Sequence, residues 1–161
     1  MNFYADYVRK KLNAVISSMS SQIEDFVKNP GHDFTRNRKM NFTSTINFLL
    51  TMEGGSLNSE LHKYFNYDLN QITRSGFIKQ RNKLKPDTME HLFHKFHEQI
   101  ACNKKYHGYQ LLACDGSDLN IFRDPLNPHT HFAGKEGTFG FNQLHLNVLY
   151  DLQSCLLYTS P

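Results

Sequence analysis

The sequence lacks the features that mark several common classes of protein. It has only three cysteines in 161 residues, and they lie too far apart, at 102, 114 and 155, for a disulfide framework or a zinc finger. It has no run of about 18 apolar residues, so an ordinary membrane-spanning helix is not expected. Its first residues lack the basic and then apolar layout of a secretory signal. We therefore expect a protein of a reducing cytoplasm with no membrane partner.

Apolar residues and an uneven charge distribution are what the sequence does contain. Hydrophobic residues make up 39% and aromatic residues 13%, which is enough for a packed core. Residues 1–105 carry 16 Lys and Arg against 10 Asp and Glu, whereas residues 106–161 carry 2 against 5. Residues 36–85 alone carry 9 against 3. The basic stretch favours a polyanionic partner and the acidic stretch favours metal binding, although ordinary solvated faces would have the same composition.

The first hundred residues have the periodicity of helices. Apolar residues recur about three and four positions apart, and Asn29-Pro30-Gly31 and Gly54-Gly55 interrupt the pattern. Ser56 is placed to cap one helix, and either Thr73 or Ser75 is placed to cap the next. A basic loop, residues 36–39, follows the first helix. The predicted helices are Phe3–Val27, one through Ile46 and Met52, Ser56–Phe65, Gly76–Leu84 and Asp87–Ala101.

The predicted helix Gly76–Leu84 is the candidate DNA-binding element. With the preceding helix Ser56–Phe65 it has roughly the proportions of a helix-turn-helix. One side is apolar, and the other carries cationic and amide side chains. Lys and Arg neutralise phosphate, and Asn can pair with adenine. The candidate DNA contacts are Lys79, Arg81, Asn82, Lys83 and Lys85; the alternative is a solvated face of a helical bundle.

The pattern changes to that of strands at about residues 103–108. Tyr109–Cys114 has the composition of a buried strand, and Gln143–Tyr150 alternates as a half-buried strand does. Between them we expect Asp115-Gly116-Ser117 to turn the chain, Leu119–Phe122 to return, and a loop to follow. The fold class predicted is therefore α+β, with helices first and strands after them.

Asp115 is the candidate catalytic and metal-binding residue. A carboxylate at the end of an apolar strand is held rigidly, and its oxygens suit a hard divalent cation. Such a site suits phosphoryl transfer, in which two metal ions roughly 3.5–4 Å apart act on the attacking and leaving oxygens. That chemistry requires further carboxylates. The alternative is that Asp115-Gly116 is only a hairpin turn.

Two segments around Asp115 resemble a known family. Leu111–Leu119 and Gly140–Asp151 are similar to the start of the catalytic domain of bacterial DDE (Asp-Asp-Glu) insertion-sequence transposases, of insertion-sequence family four. Ser75–Pro86 also resembles the N-terminal region of these proteins. In that family an Asp-Gly-Ser/Thr segment supplies the first carboxylate of the triad. Asp115 occupies the matching position, and Asp118 does not.

The resemblance implies a fold, an activity and a set of partners. It implies a helical DNA-binding region with a helix-turn-helix-like element at 1–105, and the first strands of a truncated RNase H-like core at 106–154. The complete protein would bind two Mg²⁺ or Mn²⁺ ions and cleave and transfer DNA strands in transposition. Its partners would be the double-stranded terminal repeats of the element and further copies of itself, in the nucleoid-associated cytoplasm of a bacterium.

The end of the sequence departs from this family. The second Asp and the Glu of the triad lie further along in a complete transposase, so we expect this fragment to be inactive by itself. Residues 155–161 resemble the translation of a transposase end sequence used to prepare sequencing libraries, and we interpret them as a non-native tail. Two other functions stay open: a non-enzymatic, helix-turn-helix-like DNA-binding regulator, and a helical interaction module with no DNA role.

Overall fold

The computed structural model describes residues 3–36, 38–100, 105–135, 137–152 and 156–159. The chain divides into two compact units, Met1–Ile100 and Ala101–Pro161. The first unit is helical, and the second is built on an antiparallel sheet. This mixture of helices and sheet confirms the α+β class in its general form.

The described residues of the first unit form five α-helices, and each corresponds to a predicted helix. The first predicted helix is shorter than expected, because the chain leaves it after Ser21 and makes one 3₁₀ turn at Ile23–Asp25. Beyond that turn the backbone bonds to a distant segment: the Lys28 N–H donates to the Lys83 carbonyl at 2.8 Å, and the Lys85 N–H donates to the Phe26 carbonyl at 3.0 Å. The helices are α1 (Phe3–Ser21), α2 (Phe42–Thr51), α3 (Leu57–Tyr64), α4 (Arg74–Arg81) and α5 (Thr88–Ile100).

Side-chain caps explain where three of these helices begin. The Ser56 hydroxyl accepts from the Ser59 N–H at 3.3 Å, which confirms the predicted cap of α3. Thr73 caps α4 by accepting from the Gly76 N–H at 3.2 Å. Asn41 caps α2 in the same way. Each cap pairs one of the backbone N–H groups that the first turn of a helix leaves without an internal partner.

Two apolar clusters hold the helical unit together. One joins α1, α2 and α5 around the buried side chains of Val15, Ile16 and Met19. The other joins α2, α3 and α4 around Phe77, whose side chain is fully buried. Since α2 contributes to both clusters, it connects the two halves of the unit. The second cluster consists of Met40, Phe48, Leu61, Ile72 and Phe77.

The described residues of the second unit form a four-stranded antiparallel sheet with β3 at its centre. β1 pairs with β3 along ten residues, from Leu112 opposite Asp151 to Ile121 opposite Asn142. β2 and β4 pair with the first and the last residues of β3. The strands are β1 (Leu112–Ile121), β2 (His131–Phe132), β3 (Phe141–Asp151) and β4 (Leu156–Thr159). Residues 156–159 of the segment interpreted as a non-native tail thus form β4, and its residues 155, 160 and 161 lie outside the described residues.

The sheet corrects the expectation of a turn at Asp115-Gly116-Ser117. These residues lie inside β1, so the turn and the return strand from Leu119 are wrong, and Asp115 is not at the end of a strand. The reason is the unbroken pairing with β3, which satisfies the backbone groups that a turn would leave without partners. β1 is also exposed along its whole length rather than buried. No helix among the described residues of this unit covers the sheet.

Candidate functional site

Packing fixes how α4 is presented at the surface. The Phe77 ring meets the Phe48 ring edge to face, with the ring centroids 4.6 Å apart. Gly76 allows this helix to begin close to the preceding residues, because a Cβ at that position would lie 2.9 Å from Cγ1 of Ile72. With Phe77 in the core, Lys79, Arg81 and Asn82 are exposed at the surface.

A groove runs between α4 and the basic loop that precedes α2. The groove has a volume of about 700 Å³. One wall is formed by positions of α4 and its C-terminal extension that recur three or four residues apart, and the other wall by the loop. The lining residues are Arg38, Lys39, Ile72, Gly76, Lys79, Gln80 and Lys83.

A smaller cavity continues this groove along the loop. Its volume is about 280 Å³, and Arg38, Gln80 and Lys83 line both spaces. We call the two together the α4 groove, and its cationic side chains are Arg36, Arg38, Lys39, Lys79 and Lys83. Among the described residues that line it, none is acidic. The groove therefore carries a concentrated positive charge, which attracts polyanions.

Two cations of the α4 groove, Lys39 and Lys83, are held by neutral partners. The Lys39 ammonium donates to the Asn70 side-chain carbonyl at 3.0 Å and to the Gln71 backbone carbonyl at 3.5 Å. The Lys83 ammonium lies 5.0 Å from the centroid of the Phe34 ring. These contacts orient both side chains without neutralising their charges. Both ammonium groups can therefore still bind an anion.

The five residues predicted to contact DNA fall into two groups. Lys79 and Lys83 line the α4 groove, whereas Arg81 and Asn82 are exposed but line neither of its cavities. Lys85 has a structural contact, because its ammonium donates to the Asp25 carbonyl at 2.7 Å. The structure thus brings the first two together and places the other three elsewhere.

The loop cations were the part of this site that sequence reasoning did not assign. Arg36, Arg38 and Lys39 form a visible charge run, which was the available signal. Because they lie far from Lys79 in the sequence, the sequence did not show that they share a groove with it. Asn37, in the middle of the same run, lies outside the described residues.

Gln80 is unusual among the residues of the α4 groove. It is only 5% exposed, although the sequence placed it on the polar side of its helix. Its side-chain oxygen Oε1 is buried, and no hydrogen-bond donor of the described residues reaches it. A buried acceptor without a partner costs about 1–3 kcal/mol, so native proteins contain few of them.

Asp115 lies in a different setting from the one the sequence predicted. It is exposed in the middle of β1 opposite Val148, and directly opposed residues share one face of an antiparallel pair. Its carboxylate accepts from the Gly116 N–H at 2.9 Å. On the other face, His145 Nδ1 lies 2.8 Å from Asp118 Oδ1. The hydrogen bond with Asp118 raises the pKa of His145.

The fit of Asp115 to a metal centre is incomplete. Mg²⁺ requires near-octahedral oxygen coordination, and a two-ion centre needs several carboxylates. Within the described part of the chain, no three His, Cys, Asp or Glu side chains form a group that could hold a metal ion. The described residues therefore do not by themselves make the two-ion centre that the family resemblance implies. Asp115 can supply one carboxylate ligand to such a centre.

Comparisons with known proteins do not assign the chain to a family. No protein-family model matches the chain, and no curated protein or solved structure is significantly similar to it. In the part of the chain that the structure describes, no helix is both long and apolar enough to cross a membrane. A functional proposal therefore depends on the α4 groove and on the motifs around Asp115.

Proposed function

We propose that this chain binds double-stranded DNA through the α4 groove and is the N-terminal part of a DDE transposase. The observation that carries the proposal is the convergence of five cationic side chains, from the loop and from α4, on one groove whose described lining contains no acid. DNA carries one negative charge per about 1.7 Å of its axis, so a row of cations matches its backbone. The ends of the mobile element are the proposed target.

The geometry of α4 supports a role in reading the major groove. A helix fits the major groove of B-DNA, and residues on one of its faces reach phosphates and base edges. In this chain those residues are Lys79 and Gln80, together with Lys83, which lies two residues beyond the end of α4. The connection between α3 and α4, residues 65–73, is longer than the roughly three- or four-residue turn of a standard helix-turn-helix. We therefore propose a helix-turn-helix-like arrangement with a longer turn.

The transposase part of the proposal is supported by the neighbouring strands β1 and β3. The two segments that resemble the family lie side by side in the sheet, with Asp115 opposite Val148. We propose that they are the opening strands of an RNase H-like core. In the complete protein Asp115 would contribute one ligand to Mg²⁺ or Mn²⁺, and further carboxylates would complete the centre. Strand cleavage and transfer is the reaction class this implies, carried out by copies of the protein assembled on DNA.

DNA binding is tested by fluorescence anisotropy of a labelled duplex titrated with the full chain. The double variant Lys79→Gln, Lys83→Gln should weaken binding by at least tenfold at about 100 mM salt, since two phosphate contacts are lost. The matched control is Arg81→Gln with Asn82→Ala, which changes the same stretch of chain outside the groove. Equal affinities of the wild type and the groove variant would contradict the proposal. So would a loss confined to the control.

A non-enzymatic DNA-binding regulator is the second candidate. It is favoured by the location of all five groove cations in the helical unit, which makes DNA binding independent of Asp115. The uninterrupted gene separates the two candidates. Two further carboxylates in the continued reading frame, each required with Asp115 for Mg²⁺-dependent nicking of element-end DNA, would support the transposase. A gene without them would leave the regulator.

A further inference from the structure

We infer that Gln80 is a base-reading residue, whose side-chain carbonyl accepts a hydrogen bond from the exocyclic amine of an adenine or a cytosine held in the α4 groove. The inference rests on the proposed DNA-binding function and assigns a specific role within it. It concerns sequence preference, whereas the cations of the groove concern affinity.

The Gln80 side chain is buried with an unpaired acceptor. It lines both cavities of the α4 groove, it is 5% exposed, and its Oε1 has no hydrogen-bond partner among the described residues. An unpaired acceptor at this depth destabilises the free protein. A ligand that supplies a donor removes that cost, so binding of such a ligand is favoured. The terminal torsion of glutamine has a broad energy well, which allows the amide to turn toward the ligand.

The cations that share the groove with Gln80 restrict the chemistry of its ligand. Five cations line the groove, so the ligand carries anionic oxygens. A carbonyl oxygen repels an anionic oxygen and requires an N–H donor instead. Inorganic phosphate and sulfate supply the first feature without the second. A nucleotide within DNA supplies both, with its phosphate beside Lys79 or Lys83 and its base amine toward Gln80.

The position of Gln80 beside groove cations also suits contact with a base edge. It lies between Lys79 and Lys83 in the sequence, and all three line the larger cavity. A helix that enters the major groove contacts phosphates with its flanking cations and base edges with the residues between them. In that groove adenine presents its N6 amine and cytosine its N4 amine, whereas guanine and thymine present acceptor oxygens there.

The test begins with the full chain and a pool of duplexes with a randomised central segment. Sequencing of the bound fraction identifies the preferred positions. At each position that prefers adenine or cytosine, the base is replaced by its analogue without the exocyclic amine, and affinities are measured by anisotropy. The protein variants are Gln80→Met, which keeps the length of the side chain but removes the acceptor, and Lys79→Met as the matched control.

We expect the wild type to lose about tenfold in affinity for the amine-less analogue at one position, and Gln80→Met to lose none there. Lys79→Met should weaken binding to all sequences and keep the tenfold discrimination. The midpoint of urea unfolding should be unchanged or higher in Gln80→Met, because an unpaired buried acceptor is removed.

Three results would overturn the inference in distinguishable ways. If Gln80→Met keeps the full discrimination at every position while Lys79→Met binds weakly, Gln80 does not read a base and the DNA-binding proposal stands. If Gln80→Met keeps the discrimination and unfolds at a lower urea concentration, its role is structural. If the wild type binds no duplex at all, the proposed function fails together with the inference.

Discussion

The salt dependence of DNA binding counts the phosphates that the α4 groove neutralises. Each phosphate contact on B-DNA contributes about −0.9 to the slope of log affinity against log salt concentration. Five cations line the groove, so a full set of contacts gives a slope of about −4.5. Between 50 and 200 mM salt the affinity of the wild type should then fall about 500-fold.

Substitution of one groove cation should change this slope by a fixed amount. Lys79→Gln should reduce it to about −3.6, so that the affinity falls about 150-fold over the same salt range. Two controls follow from the structure. Lys85→Gln and Arg81→Gln should both keep the wild-type slope, because neither residue lines the groove.

The assay is anisotropy of a labelled duplex of about 20 base pairs at four or more salt concentrations. Circular dichroism of each variant checks that the helices are retained. A slope that changes as much in Arg81→Gln as in Lys79→Gln would refute the division of the predicted DNA contacts into two groups. A slope that no groove substitution changes would refute the groove as the DNA interface.

Three further predictions concern stability and protonation. Phe77→Ala should lower the free energy of unfolding of the helical unit by about 3–5 kcal/mol, measured by urea denaturation, because this fully buried ring fills the second apolar cluster; a change below about 1 kcal/mol would contradict that packing. Asn142→Leu should accelerate hydrogen exchange at the Asp124 amide, because buried Asn142 accepts from that N–H at 2.9 Å and donates to the Asp124 carbonyl at 2.9 Å; an unchanged exchange rate would argue against this contact. The pKa of His145, followed by NMR, should lie above its usual value of about 6.5 and fall in Asp118→Asn. Since the folded-state pKa is the higher one, this pair stabilises the fold fully below about pH 6.5 and less as pH rises through the folded pKa, and an equal pKa in the variant would contradict the pairing.

Local signals in the sequence were sufficient to predict the helices. The cap at Ser56, the break at Gly54-Gly55 and the apolar spacing each act within about one helical turn. The helices α3 to α5 begin within two residues of their predicted starts, and α2 contains Ile46 but ends one residue before Met52. The α+β class followed from the change of pattern near residue 107. These features depend on neighbours along the chain, so one sequence is enough to recognise them.

The strand through Asp115 and the two-walled groove depended on contacts between distant residues. Asp115-Gly116 favours a turn locally, but ten paired positions with β3 outweigh that preference, because backbone hydrogen bonds recur at every second pair along the two strands. The spacing of α4 placed Gln80 on the polar side, whereas in the folded chain its side chain is only 5% exposed and lines the groove together with residues of the loop. Hence the sequence by itself determined where the helices lie, the cap at Ser56 and the basic character of this region. Tertiary structure alone decided which cations share a groove, since that depends on which distant segments pack together.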